Sequence, residues 1–130
     1  MAKKSLPRPT EAELAILRVL WDRGPSTVRD VQQALEGERG TGYTTALKLM
    51  QIMTEKGLVR RDDRQRTHVF EAVVPAEITQ RQLVRDLLDR AFGGSARQLV
   101  MQALSAKKAS KADLAEIRRL LDEMEAGQNP

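Results

Sequence analysis

Apolar positions recur at helical spacing over most of the chain, interrupted once by a short stretch with strand character. Leu14, Leu17, Leu20 and Trp21, widened by Ile16 and Val19, form the apolar face of a first helix. Thr10-Glu11-Ala12-Glu13 reads as its capping box, with Thr10 as N-cap and Glu13 reaching back, and Gly24-Pro25 should end it. Ser26-Thr27 can cap a second helix that turns Val28, Val31, Ala34 and Leu35 inward and ends near Gly37. After the glycine-rich loop EGERGTG, Ala46, Leu49, Met50 and Met53 form the inner stripe of a third helix over 43–56. Thr41 or Gly42 sits at its cap position, and Gly57 is placed to stop it in a left-handed conformation. Leu58-Val59 and His68-Val69-Phe70 are β-prone and flank RRDDRQR, which predicts a hairpin.

Beyond the hairpin the pattern is helical again. Pro75 opens a helix carrying Ile78, Leu83, Val84, Leu87, Leu88, Ala91 and Phe92, and Gly93-Gly94 closes it. Ser95 can cap a helix with Leu99, Val100, Ala103 and Leu104 on one side. Ser110-Lys111-Ala112-Asp113 reads as a second capping box, opening a last helix with Leu114, Ile117, Leu120, Leu121 and Met124. The fold class is therefore mainly α with a small β-hairpin. Two helices, a third across a tight turn, then a hairpin is the order of a winged helix-turn-helix DNA-binding domain. It occupies residues 10–74, after a flexible N-terminal arm over 1–9 whose Lys3, Lys4 and Arg8 could meet phosphate but more simply stay solvated.

Residues 75–130 form a three-helix C-terminal region too small to bury its own leucines comfortably. Leu83, Leu87, Leu88, Phe92, Leu99, Leu114, Ile117 and Leu121 are expected to meet a second copy of the chain and make a homodimer. The alternative is that they fold back on the winged helix of the same chain.

The polar positions carry the candidate chemistry. The outer face of the third helix has short hydrogen-bonding side chains at its leading end, as a helix entering the major groove requires. Tyr43, Thr44, Thr45, Lys48 and Gln51 are the candidate base contacts. Thr45 could instead be a buried hydroxyl bonded to its own helix, and Tyr43 could pack against the wing. Residues 56–66 hold five basic residues (Lys56, Arg60, Arg61, Arg64, Arg66) against Asp62 and Asp63, a net of 5 − 2 = +3. Arginines on a hairpin tip suit phosphate contact, so Arg60, Arg61, Arg64 and Arg66 are the candidate backbone contacts, against the plainer reading of a solvated turn. Trp21 reads as core rather than as a stacking platform for a ligand.

Composition narrows the class without naming the partner. The net charge is +4 and the pI about 9.8, compatible with nucleic acid. Residues 1–74 carry 13 basic and 10 acidic groups (+3), and residues 75–130 carry 9 and 8 (+1), so the excess lies mostly in the winged-helix part. There is no cysteine and one histidine, His68, which points away from disulfides, thiolate metal sites and cysteine catalysis and leaves no ligand set for a metal. No phosphate-binding or dinucleotide-binding glycine pattern occurs, so no enzyme activity and no cofactor are expected. No apolar run reaches the length of a membrane span, and MAKKSLPRP lacks a signal-peptide core, so a cytoplasmic protein is expected. Two further readings remain: a winged helix whose basic wing binds an acidic protein partner, and a ligand-sensing dimer from another winged-helix family.

The run TEAELAILRVLWDRGPSTVRDV, then GYTTALKLMQIMTEKGLV, then RTHVFEAVVP and the later DRAFGGSARQLV resemble the penicillinase-repressor family, the BlaI/MecI type. Order and spacing carry the resemblance more than any single piece, and it covers residues 6–124. It implies a homodimeric bacterial repressor of transcription that binds a dyad-symmetric, double-stranded DNA operator through the Tyr43-Thr44-Thr45 region. Three departures limit what carries over. Ile52 stands where many members have arginine, which removes a phosphate contact. Where the antibiotic-resistance members are cut at an Asn-Phe bond by a sensor protease, the matching pair here is Gln102-Ala103, so that partner is not implied by the cut site. The chain ends EMEAGQNP, without the cysteine-rich tail of the copper-responsive members.

Overall fold

A computed structural model describes residues 8–128; Lys3 and Lys4 of the proposed arm lie outside the described residues. The elements run α1 (Glu11–Arg23), α2 (Val28–Arg39), α3 (Tyr43–Lys56), β1 (Val59–Asp62), β2 (Val69–Ala72), α4 (Ala76–Ala91), α5 (Ala96–Ala106) and α6 (Lys111–Gln128). They divide into two compact units, the first ending at Leu83 and the second beginning at Val84, so the division falls inside α4.

The first unit closes around one apolar cluster. Ile16, Leu17 and Leu20 from α1 meet Val28, Val31 and Leu35 from α2, Ala46, Met50 and Met53 from α3, and Leu58, Val59 and Phe70 from the hairpin. Each fully buried side chain of this size contributes about 1.5–3 kcal/mol of apolar transfer. The expected inner stripe of α3 is therefore the observed one, with Leu49 only partly buried. Trp21 packs against this cluster, and its indole N–H donates to the Val74 carbonyl at 3.0 Å, tying α1 to the segment after the hairpin.

The first helix begins as expected. Thr10 Oγ1 accepts from the Glu13 N–H, and Glu13 accepts from the Thr10 N–H at 2.8 Å. A second contact on Glu13 was not visible in the pattern: Lys56 at the end of α3 donates to the same carboxylate at 2.7 Å, and the Glu13 side chain is only 3% exposed. Burial pushes this carboxyl up, but hydrogen bonds from Lys56 and Thr10 and the Lys56 charge outweigh it, and the net is below the ordinary value.

The second helix departs from expectation at both ends. Thr27 alone caps it, in a capping box closed by Asp30, which accepts from the Thr27 N–H at 3.1 Å. Ser26 is buried and pairs with Phe70 in an antiparallel bridge, exchanging both backbone hydrogen bonds (2.9 and 2.8 Å). The residue before the cap thus extends the β1–β2 sheet. The helix also runs past Gly37 to Arg39, and the left-handed cap is Gly40 (φ 61°), whose N–H donates to the Glu36 carbonyl. An exposed helical glycine costs only about 0.5–1 kcal/mol, so Gly37 does not end the helix.

The hairpin is antiparallel, with Val59 opposite Ala72, Arg60 opposite Glu71, Arg61 opposite Phe70 and Asp62 opposite Val69. His68 precedes the second strand rather than belonging to it.

The second unit is built differently. Ser95 caps α5 through the Gln98 N–H, and the Asp113 N–H donates to Ser110 Oγ, the helix-start half of the expected box. No described residue from Val84 onward is buried. Leu87 is 50% exposed, Leu121 52% and Met124 55%.

Candidate nucleic-acid interface

The outer surface of α3 presents the side chains singled out in the sequence. Tyr43, Thr44, Thr45, Lys48 and Gln51 are all exposed, so Thr45 is not the buried hydroxyl that was one of its two readings. At 100° per residue, Thr44, Lys48, Gln51 and Glu55 lie along the line opposite the buried Ala46–Met50–Met53 stripe. Thr45 and Ile52 lie on one flank of that line, and Tyr43 and Leu47 on the other.

The leading end of α3 is open. Its N-cap is Gly42, extended (φ −83°, ψ 167°), with no side-chain cap. The turn before it is held from outside: Gln32 on α2 donates its amide to the Thr41 carbonyl at 3.1 Å. At the other end Gly57, left-handed at φ 82°, satisfies the Thr54 and Met53 carbonyls and lets the chain reverse into β1.

Two grooves border α3 within this unit. One, of about 510 Å³, runs between the start of α2, the outer flank of α3 and the hairpin; Arg29, Tyr43, Gln51, Arg61 and His68 line it. The Arg29 guanidinium lies 6.0 Å from the Tyr43 ring centroid, within cation–π range. Tyr43 therefore leans toward α2 and is still 48% exposed. The other groove, of about 650 Å³, lies on the hairpin side and is lined by Gln51, Thr54, Glu55, Arg60, Arg61 and Asp63. Sequence reasoning missed Arg29 and His68 as members of this surface. Arg29 had a usable signal, since it follows the α2 cap residue Thr27 by two positions, in the first turn of the helix that precedes α3.

The hairpin arginines are exposed, and most are already engaged. Arg60 Nε donates to Glu71 at 2.8 Å across the strand pair. Arg61 Nε lies 2.6 Å from Asp63 Oδ1. Arg64 grips both oxygens of Asp62 through three guanidinium hydrogen bonds, at 2.9, 3.1 and 2.7 Å, and its backbone N–H adds a fourth bond to that carboxylate at 3.0 Å. These contacts from Arg64 hold the Asp62 carboxyl at about 2. Among the described residues Arg66 is the one hairpin arginine with no carboxylate within ion-pair distance. Lys56, counted with the wing in the sequence, belongs instead to the buried Glu13 pair.

The candidate dimerisation residues lie elsewhere. Leu87, Leu114 and Leu121 are exposed, while Leu83, Leu88, Phe92, Leu99 and Ile117 are half-buried. Among the described residues no group of three or more His, Cys, Asp or Glu is arranged to hold a metal ion, and no helix is long and apolar enough to cross a membrane.

Comparisons with known proteins place this geometry in context. The sequence profile of the family described as penicillinase repressor matches residues 9–123. A protein of Mycobacterium tuberculosis (strain CDC 1551 / Oshkosh) named transcriptional regulator BlaI is 34% identical over 129 residues, covering 98% of this chain and 91% of that protein. The protein of the same name from strain ATCC 25618 / H37Rv matches to the same extent. Among solved structures, the DNA-binding domain of the repressor BlaI superposes with a TM-score of 0.50 at 19% identity, over 57% of this chain and 90% of that one. The monomeric form of Bacillus licheniformis BlaI, solved in complex with the blaP half-operator, gives a TM-score of 0.50 at 19% identity, over 58% of this chain and 92% of that one. At this identity the two structures establish a shared winged-helix fold.

Proposed function

The chain belongs to the penicillinase repressor family, and from that premise we propose that it is a cytoplasmic, homodimeric repressor of transcription that occludes a palindromic operator. The observation that carries this reading is the outer face of α3. Thr44, Lys48 and Gln51 stand in line on a helix whose other face is fixed in the core, with an uncapped leading end and two grooves along its hairpin-facing flank. Such a helix fits a major groove, where hydroxyl, ammonium and amide groups meet base edges. Arg60, Arg61, Arg64 and Arg66 reach the phosphates beside it, and Arg29 joins them from the start of α2.

Dimerisation supplies the second half-site. One winged helix contacts few base pairs, and two joined by symmetry roughly combine their binding energies. The support is the second unit, whose leucines this chain leaves unburied; a second copy provides the missing surface. Residues 10–74 act as the reading part and 75–130 as the joining part.

The test is a genome-fragment selection with the purified protein at near-physiological salt, run beside a Thr44→Ala/Lys48→Ala double variant. The reading requires a few retained fragments that share a dyad repeat and are lost with the variant. Retention of the same random DNA by both proteins would overturn it, because α3 would then not be reading bases.

A further inference from the structure

We propose that Asp62, Asp63 and Glu71 are specificity-determining residues: each holds a wing arginine in an ion pair that a DNA phosphate must displace, so the wing engages DNA only when α3 is properly seated. This rests on the reading of the wing as a backbone contact.

The sequence suggests a wing rich in free positive charge, and the structure shows one close to self-neutralised. Arg60 is taken by Glu71, Arg61 by Asp63 and Arg64 by Asp62. Four arginines against three carboxylates leave 4 − 3 = +1, and Arg66 carries it. An arginine that keeps its carboxylate brings no net charge to the DNA and displaces no counterion. The pairs are exposed, with Arg64 89% and Arg60 66% open to solvent, so each is weak, screened by salt and exchangeable.

Exchange has a geometric condition. A phosphate replaces a carboxylate without loss only where two of its oxygens meet the guanidinium fork. When α3 sits in its groove, the phosphates flanking it fall at fixed places and the exchange can occur. When the protein lies loosely on unrelated DNA, the arginines stay on their carboxylates, and the carboxylates face phosphate directly. The three acids therefore weigh more against loose complexes than against the operator complex. Asp62 is the most firmly placed of them. It accepts the Arg64 backbone N–H as well as its guanidinium, so it stays at the tip even after the guanidinium leaves. It is charged throughout the neutral range.

The experiment measures affinity against salt concentration for the full chain on a random-sequence duplex and on a fragment retained by the genomic selection. Wild type is compared with D62N/D63N and with R66A, each first shown to unfold thermally as wild type does. Asparagine preserves the acceptor for the Arg64 N–H and removes the charge. The proposal requires D62N/D63N to bind the random duplex more tightly, on the order of 2- to 5-fold per freed arginine. Its salt slope should steepen by about one unit per arginine freed, and the ratio of operator to random affinity should fall. If R66A flattens the slope while D62N/D63N leaves slope and ratio unchanged, the wing meets DNA but its acids do not select, and the proposal fails alone. If R66A and D62N/D63N both leave the slopes unchanged, the wing is not at the DNA, and the backbone-contact reading fails with it.

Discussion

The two units of this chain solve the problem of burial in opposite ways. The first draws three helices and a hairpin around twelve buried apolar residues and leaves outside the polar face of α3. The second has three helical stretches with clear apolar faces, of which Leu88, Phe92, Leu99 and Ile117 are half-buried and no described residue is fully buried. Hydrophobic periodicity is equally strong in both, so periodicity alone does not say where a face is covered. In the first unit the covering surfaces come from the same chain, and in the second Leu87, Leu120, Leu121 and Met124 stay exposed.

The largest effect that tests this contrast is on assembly. Leu87→Asp/Leu121→Asp should abolish the dimer at micromolar concentration while the first unit keeps its fold, read by analytical ultracentrifugation beside far-UV dichroism. A dimer that survives both charges would place the joining surface elsewhere. The counterpart in the first unit is a core truncation. Leu17→Ala should cost about 2–5 kcal/mol in urea unfolding, because it opens a cavity in a side chain that is only 2% exposed. Unlike the first variant, its effect should not depend on protein concentration.

A smaller loss sharpens the account of how α3 is anchored. Glu13→Ala removes the partner of Lys56 and of the Thr10 N–H together and should cost about 1–3 kcal/mol. The pH dependence carries a definite sign. The folded carboxyl titrates below its ordinary value of 4.5, so the stabilisation is fully present above that pH and is lost as pH falls through the lower folded value. Glu13→Gln should therefore flatten the stability–pH curve below about pH 4.5 and leave its slope near neutrality unchanged. Thr27→Ala should cost about 1 kcal/mol through loss of the α2 cap. The smallest effect belongs to the second unit. Arg119→Ala removes an exposed pair of bridges to Glu116 and Glu123 on α6 and should change stability by less than about 0.5 kcal/mol.

Much of this molecule was legible without coordinates, and the reason is local chemistry. The Thr10–Glu13 capping box, the stop at Gly24, the stop at Gly57 and the Ala46–Met50–Met53 stripe depend on residues within a few positions of one another. Order and spacing were enough for the family and the winged-helix fold. Contacts between distant residues were not legible. Ser26 looked like a second cap residue, and its pairing with Phe70 joins positions 44 apart (70 − 26). Lys56 looked like the first charge of the wing, and a buried carboxylate 43 residues away claims it. Gly37 looked like a stop, but the backbone is left-handed at Gly40. Neighbouring charges gave a net of +3; two of the wing pairs, Arg61–Asp63 and Arg64–Asp62, are local, and the strand pairing added Glu71 opposite Arg60. Local sequence fixes φ, caps and faces because those follow from adjacent atoms. Which face is covered, and which charge is neutralised, depends on what the rest of the chain brings within a few ångströms.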